Sequence, residues 1–224
     1  MAQHIVIVGA SRGIGLEMAR QAKARGDRVT ATVRSDASAK ALDGIADEVL
    51  ICAVADEASL AKAAGASDTA IDLLVCNAGV YRGRGALDAP DSGADAWEEV
   101  LMTNVAGPFL CARAFLPRIE AAKGKIAIIS SKMGSNARAP GGAYLYRASK
   151  AAATNVASNL ASELRDRGVA VGSYHPGWVR TDMGGSAADI SAEESASGLL
   201  SRFEALSVST TGVFEDYAGE AIPF

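Results

Sequence analysis

Tyr146 and Lys150 stand four residues apart in Tyr146-Arg147-Ala148-Ser149-Lys150, a spacing that sets both side chains on one face of a helix. An ammonium beside a phenol favours the phenolate, which makes the phenol a better proton donor and acceptor near neutral pH. The chemistry this pair offers is general acid–base catalysis at an oxygen that gains or loses charge. The pair is not alone. A glycine-rich turn lies near the start of the chain, and Ser130-Ser131 ends an apolar run just upstream.

The turn reads Gly9-Ala10-Ser11-Arg12-Gly13-Ile14-Gly15. It directly follows the apolar run Ile5 to Val8 and opens a segment of helical period. Glycines let the backbone turn tightly and let a pyrophosphate approach the free N–H groups of a helix N-terminus, where the dipole favours anions. The turn therefore predicts a bound dinucleotide, although its spacing is Gly-x-x-x-Gly-x-Gly rather than Gly-x-Gly-x-x-Gly. The next apolar run ends Thr32-Val33-Arg34, with no acidic residue at its tip to bind the 2′-hydroxyl of NAD. Arg34 and Arg12 are placed to pinch a 2′-phosphate with charge-assisted hydrogen bonds. The expected cofactor is NADP(H) rather than NAD(H).

These groups need a frame, and the hydrophobic pattern supplies one. Short apolar runs at 5–8, 29–33, 49–54, 71–76, 125–130 and 169–174 read as buried strands, with a short last strand at 212–214. Between them lie segments of helical period: one from Ile14 to Gly26, then 38–46, 57–64, 94–122, 146–167 and 193–206. Pro108 is expected to kink the long 94–122 helix. Strands alternating with helices imply right-handed crossovers and a parallel sheet covered on both faces. The predicted architecture is a single-domain α/β Rossmann fold over residues 1–224, with a doubly wound parallel sheet of seven strands. The glycine-bearing stretch 81–95 reads as a loop lining the site, and 184–190 as a short, flexible lid over an open cleft.

Bulk properties narrow the function. The 224 residues suffice for a full core, and 49% hydrophobic with 21% charged residues is the balance of a globular chain. The net charge of −4 and the absence of a basic stripe argue against nucleic acid and against an anionic membrane surface. No unbroken apolar run approaches the roughly 18 residues of a membrane span. Met1 to Val8 runs straight into a strand, so no leader is expected and the cytoplasm is the expected location. Cys52, Cys76 and Cys111 are widely spaced in apolar stretches, and they predict buried, reduced thiols. With only His4 and His175, no metal site is expected.

Taken together, the glycine turn, Asn77-Ala78-Gly79, Asn104, Ser130-Ser131, Tyr146-x-x-x-Lys150 and Pro176-Gly177 resemble the short-chain dehydrogenase/reductase family, in its order and over essentially the whole chain. Tyr-Arg-Ala-Ser-Lys, Asp182-Met183-Gly184-Gly185 and the tail 214–224 further resemble its C-factor-like carbonyl-reductase branch. The resemblance implies roles. Tyr146 is the general acid in reduction and the base in oxidation. Lys150 lowers its pKa and holds the nicotinamide ribose, so that both residues also border the cofactor. Ser131 hydrogen-bonds the carbonyl oxygen as charge develops on it. Asn104 anchors a water linking Lys150 to solvent. Gly9, Ser11, Arg12, Gly13, Ile14 and Gly15 carry the phosphates, with Arg34 at the 2′-phosphate and Val54 at the adenine. Asn77, Ala78 and Gly79 border the adenosine-side ribose. Pro176, Gly177, Val179 and Thr181 cradle the carboxamide. The implied activity is NADPH-dependent reduction of a ketone or aldehyde, reversibly, by a homodimer or homotetramer. Its partners are small carbonyl or alcohol substrates.

Several residues keep alternatives open. Ser130 and Ser135 compete with Ser131, across a Gly-, Pro- and Ala-rich loop (136–142) longer than the family usually has. Val8 stands where the family usually has threonine, so a hydrogen bond near the glycine turn is missing. Ala53 stands where an aspartate usually binds the adenine, and Asp56 is the nearby substitute. His175 reads as structural and Trp178 as packing against the cofactor. Arg82, Arg84, Lys132 and Arg138 read as solvated surface, with an anionic substrate as the rival reading. The rival to an enzyme is a nucleotide-sensing or signalling protein on the same fold. A methyltransferase-like nucleotide fold has no use for the tyrosine–lysine pair.

Overall fold

Alternation within each strand builds the layers. In β1 (His4–Val8), Ile5 and Ile7 point to one face and Val6 and Val8 to the other. The pattern repeats in β4 (Leu73–Cys76) and β5 (Lys125–Ile129), and all three strands are buried on both sides. Their partners are β2 (Arg28–Val33), β3 (Glu48–Ile51), β6 (Ala170–His175) and β7 (Phe214–Asp216). The computed structural model describes residues 2–224. All seven strands are parallel, in the order β3-β2-β1-β4-β5-β6-β7.

The helices divide between the two faces. Helix α1 (Gly13–Ala24) and α7 (Ala192–Ala205) put Met18, Ala22, Leu199 and Phe203 against Ile5, Ile7, Val29 and Val75. On the other face, α3 (Glu57–Ala64), α5 (Gly107–Ala122) and α6 (Tyr144–Leu164) bury Leu60, Phe115, Ile119, Ala153, Ala157 and Leu164 against Val6, Leu74, Ile126 and Val171. The three cysteines are buried and free.

Several boundaries differ from the sequence reading, each for a local reason. The third strand stops at Ile51 rather than 54, because Asp56 closes a turn on Ala53 and then caps α3. The expected 38–46 helix is a four-residue α2 (Asp36–Ala39) and one 3-10 turn (Lys40–Leu42), after which Gly44 takes a left-handed φ of +72°. The last strand starts at Phe214, not 212. The 94–122 helix is continuous but not uniform: α4 (Ala94–Leu101) passes through a π-helical turn (Met102–Ala106) into α5. As one run of 29 residues it is long and apolar enough to cross a membrane, contrary to the sequence reading. Here Leu110, Cys111, Phe115 and Ile119 spend that apolarity on the sheet.

The chain winds outward from β1 to β3, then returns to lay β4 on the other side of β1. The carboxyl ends of β1 and β4 therefore flank the point where the winding reverses, the place where open α/β sheets bind ligands. Register puts Val8 opposite both Thr32 and Cys76, and Ile129 opposite Tyr174. The glycine turn, Asn77, Ser130-Ser131 and Pro176 consequently leave the sheet at one edge.

Candidate active site

The glycine turn is shaped by close approach. Gly9 has φ +83°, and a Cβ there would lie 2.8 Å from the Ala78 backbone. A Cβ on Gly15 would lie 2.4 Å from the Gly9 carbonyl and 2.5 Å from Asn77 Nδ2, which donates to that same carbonyl at 2.7 Å. Gly13 faces Thr181, whose methyl would be 3.3 Å from an added Cβ. Helix α1 follows with no side-chain cap and no acidic residue in its first turn, so its N–H groups remain for an anion. This cradle fits a dinucleotide pyrophosphate. Val8 offers no side-chain hydrogen bond to the turn, and the Gly9 N–H points to Thr32 of β2, with Oγ1 and the carbonyl each 3.2 Å away.

The other residues expected at a cofactor are distributed around it. Ser11 and Ile14 lie in and just after the turn. Arg34 is exposed beyond the tip of β2 and has no ion-pair partner among the described residues. Arg12 pairs instead with Asp182 at 2.8 Å, so the free charge near the second strand belongs to Arg34. Val54 packs beneath Gly107. Asp56, the nearby substitute for the aspartate missing at position 53, caps α3: its Oδ1 accepts the N–H groups of Ala58 and Ser59. Pro176 accepts a hydrogen bond from Ser195 at 2.6 Å, and Gly177 takes φ +88° against Ile190 and Tyr217.

Lys150 lies under this edge, buried on α6. Its Nζ donates to the Ile129 carbonyl at 2.8 Å and lies 5.5 Å from the centre of the Tyr146 ring. Burial lowers its pKa to about 8. Burial also pushes Tyr146 up to about 12, helped by Tyr81, while a hydrogen bond from Ser131 and the charge of Arg84 act the other way. Lys150 Nζ faces the Tyr146 ring and donates its hydrogen bond to the Ile129 carbonyl. A stability signature follows. A lysine titrates near 10.4 in the unfolded chain, so between about pH 8 and that value the unfolded state holds a proton that the folded state releases. Folding stability should rise with pH through this window. Unfolding titrations of wild type and Lys150→Met across it should diverge by up to roughly 3 kcal/mol, at about 1.4 kcal/mol per pH unit. Parallel curves would refute the shift.

The serines are separated by their partners. Ser130 Oγ is committed to the backbone of α6, donating to the Lys150 carbonyl at 2.9 Å, and sits 2.7 Å from Thr154 Oγ1. Ser135 donates to the Pro223 carbonyl. Ser131 Oγ accepts the N–H of Met133 at 3.1 Å, a bond that leaves its own hydrogen for another partner, and it acts to lower the pKa of the Tyr146 phenol.

Asn104 sits in the π-helical turn, fully buried. Its Oδ1 accepts from the Val80 N–H at 2.8 Å, and its Nδ2 donates to the Val80 carbonyl at 2.9 Å and to Ser149 Oγ at 3.0 Å. The side chain thus braces the loop after β4 against α6, with both Nδ2 hydrogens used and one bond accepted at Oδ1. The backbone carbonyl differs. Pro108, four residues on, has no N–H to give it. Gly79 stands between the two groups: a Cβ there would lie 3.4 Å from Asn104 Oδ1 and 3.6 Å from Lys150 Nζ.

Two contacts over Tyr146 carry no sequence signal. The Tyr81 ring stacks on it with centroids 4.2 Å apart and planes at 27°, and the Arg84 guanidinium lies 4.4 Å from the centre of Tyr81. Residues 65 positions apart have no periodicity that reports such a stack. The lid is tethered rather than loose: Trp178 Nε1 donates to Gly184 O at 2.9 Å, Arg180 donates to the carbonyls of Ala188 and Asp189, and Val179 bridges Ile190. Trp178 is half exposed on this lid. His175 is buried with neither ring nitrogen partnered, and burial, reinforced by Lys132, lowers its pKa to about 4, so it is neutral.

The sequence and fold have known counterparts. The short chain dehydrogenase profile matches residues 3–191. C-signal of Myxococcus xanthus is 36% identical over 159 residues, covering 69% of this chain and 93% of that protein. An NADPH-bound carbonyl reductase from chicken fatty liver superposes with a TM-score of 0.91 at 30% identity, covering 100% of this chain and 99% of that one. Carbonyl reductase Sniffer of D. melanogaster superposes at 0.90 with 26% identity, covering all of both chains.

Proposed function

The chain belongs to the short-chain dehydrogenase/reductase family of oxidoreductases, and on that premise we propose that it reduces a ketone or aldehyde to an alcohol with NADPH. The observation that carries the reading is the convergence of Ser131, Tyr146 and Lys150 beside a glycine cradle at one sheet edge. An NADPH-bound carbonyl reductase and an NADP-bound short-chain dehydrogenase/reductase among its structural relatives support the choice of cofactor.

Bound NADPH supplies the hydride. The chain supplies position and charge. The glycine turn and α1 hold the phosphates, and Pro176, Gly177, Val179 and Thr181 border the nicotinamide end. Ser131 donates to the carbonyl oxygen, where negative charge develops. Tyr146 gives that oxygen its proton, and Lys150, with its pKa near 8, stands behind the phenol as the next proton donor. Reduction of a carbonyl panel, followed by loss of NADPH absorbance, tests the reading; saturable NADPH binding with no turnover on any carbonyl would favour instead the signalling role that the likeness to C-signal suggests.

Cofactor choice is separately testable. Arg34, without an ion-pair partner, is the residue assigned to the 2′-phosphate. NADPH should exceed NADH by tenfold or more in kcat/KM, and Arg34→Ala should erase most of that preference, about the worth of one charge-assisted hydrogen bond. Comparable use of both coenzymes by wild type would remove the arginine from this role.

A further inference from the structure

Four cations lie in the loops around Tyr146 and Ser131: Arg82, Arg84, Lys132 and Arg138. Arg82 pairs with Glu99 at 2.7 Å and Asp95 at 3.8 Å, as a solvated surface residue does. Arg84 behaves differently. Its guanidinium rests over Tyr81, which stacks on Tyr146, and its Nη2 donates across the cleft to the Met183 carbonyl at 2.7 Å. No carboxylate among the described residues pairs with it, in a chain whose net charge is −4. Lys132, the residue after Ser131, is likewise exposed and without an ion-pair partner.

We propose that Arg84 determines the specificity of this cleft by binding a carboxylate on the carbonyl substrate. The inference rests on the reductase reading above and deepens it by naming the substrate class, an oxo-acid. An arginine presents a planar fork of donors matched to a carboxylate. Here one N–H is spent on Met183, which with the Tyr81 stack holds the fork in place, and the remaining donors are free. A fixed fork loses little conformational entropy on binding. Arg84 lies 4.4 Å from the centre of Tyr81, whose ring stacks on Tyr146 at 4.2 Å, so the anion site and the reacting carbonyl share one cleft. Lys132 adds a second positive charge from the Ser131 side.

The test uses two matched ketones with NADPH: an aryl methyl ketone and the same ketone carrying a ring carboxylate. Wild type should prefer the carboxylate by about tenfold or more in kcat/KM, as expected for a charge-assisted contact. Arg84→Ala should bring the ratio close to one, because the carboxylate ketone loses at least about tenfold more kcat/KM than the neutral ketone does. Arg84→Gln keeps an amide donor for Met183 and removes the charge, so it should lose the preference with the fold intact. A second measurement needs no turnover: calorimetric binding of benzoate to the NADP-loaded protein should weaken by about tenfold or more in both variants. Equal losses on both ketones would make Arg84 a latch only and overturn the proposal, as would a wild type with no preference. If wild type turns over neither ketone but binds benzoate through Arg84, the reductase reading fails and the carboxylate site stands.

Discussion

Tyr146→Phe is expected to lower kcat by about 10²- to 10⁴-fold, the range of a positioned general acid, while folding and NADPH affinity stay near wild type. The substitution is close to a pure deletion of the phenol oxygen. Phenylalanine keeps the ring that stacks on Tyr81 at 4.2 Å and the face that Lys150 leans over at 5.5 Å. No described hydrogen bond that holds the fold uses the oxygen. Nearby groups cannot take over. His175 is deprotonated at neutral pH, with both nitrogens enclosed, and Lys150 donates to Ile129 behind the ring. Turnover, circular dichroism and fluorescence titration with NADPH should be measured on the same preparation. A kcat within threefold of wild type would rule out Tyr146 as the acid.

Gly15→Ala should abolish cofactor binding by a different route. Its methyl would lie 2.4 Å from the Gly9 carbonyl and 2.5 Å from Asn77 Nδ2. Neither can withdraw cheaply, because Asn77 is bonded to Gly9 at 2.7 Å and the Gly9 N–H is held by Thr32. The turn must open, and with it the cradle for the phosphates. We expect NADPH affinity to fall by about 100-fold or more, with folding stability lowered by about 1–3 kcal/mol through overpacking. Gly26→Ala is the control. Its φ of +87° costs about 1–2 kcal/mol in a non-glycine residue, but nothing lies within 4 Å of its Cβ, so cofactor affinity should not move. Equal affinities for wild type and Gly15→Ala would show that the turn does not carry the phosphates.

The strands were legible because a strand buried on both faces is apolar at nearly every position, as β4 is throughout. The glycine turn was legible because close approach excludes every side chain at Gly9 and Gly15, which restricts the residue type directly. The tyrosine–lysine pair was legible because helical spacing is a local property. In each case the constraint is written in the residue types of one short segment, even where its cause is distant, as Ala78 and Asn77 are from Gly9 and Gly15.

What the amino-acid order determined on its own was therefore the winding of the sheet and the residue types that line its edge. The tertiary structure decided which of those groups are free. It separated Ser131 from Ser130 and Ser135 by giving the latter two backbone partners. It spent the Asn104 side chain on Val80 and Ser149, and it tied down a lid that composition alone made look loose. It also set the phenol near pKa 12, where helical spacing to a lysine suggested a value nearer neutrality. Availability, burial and charge at a site are sums over atoms from distant parts of the chain. Local pattern carries no term for them until folding brings those atoms within reach.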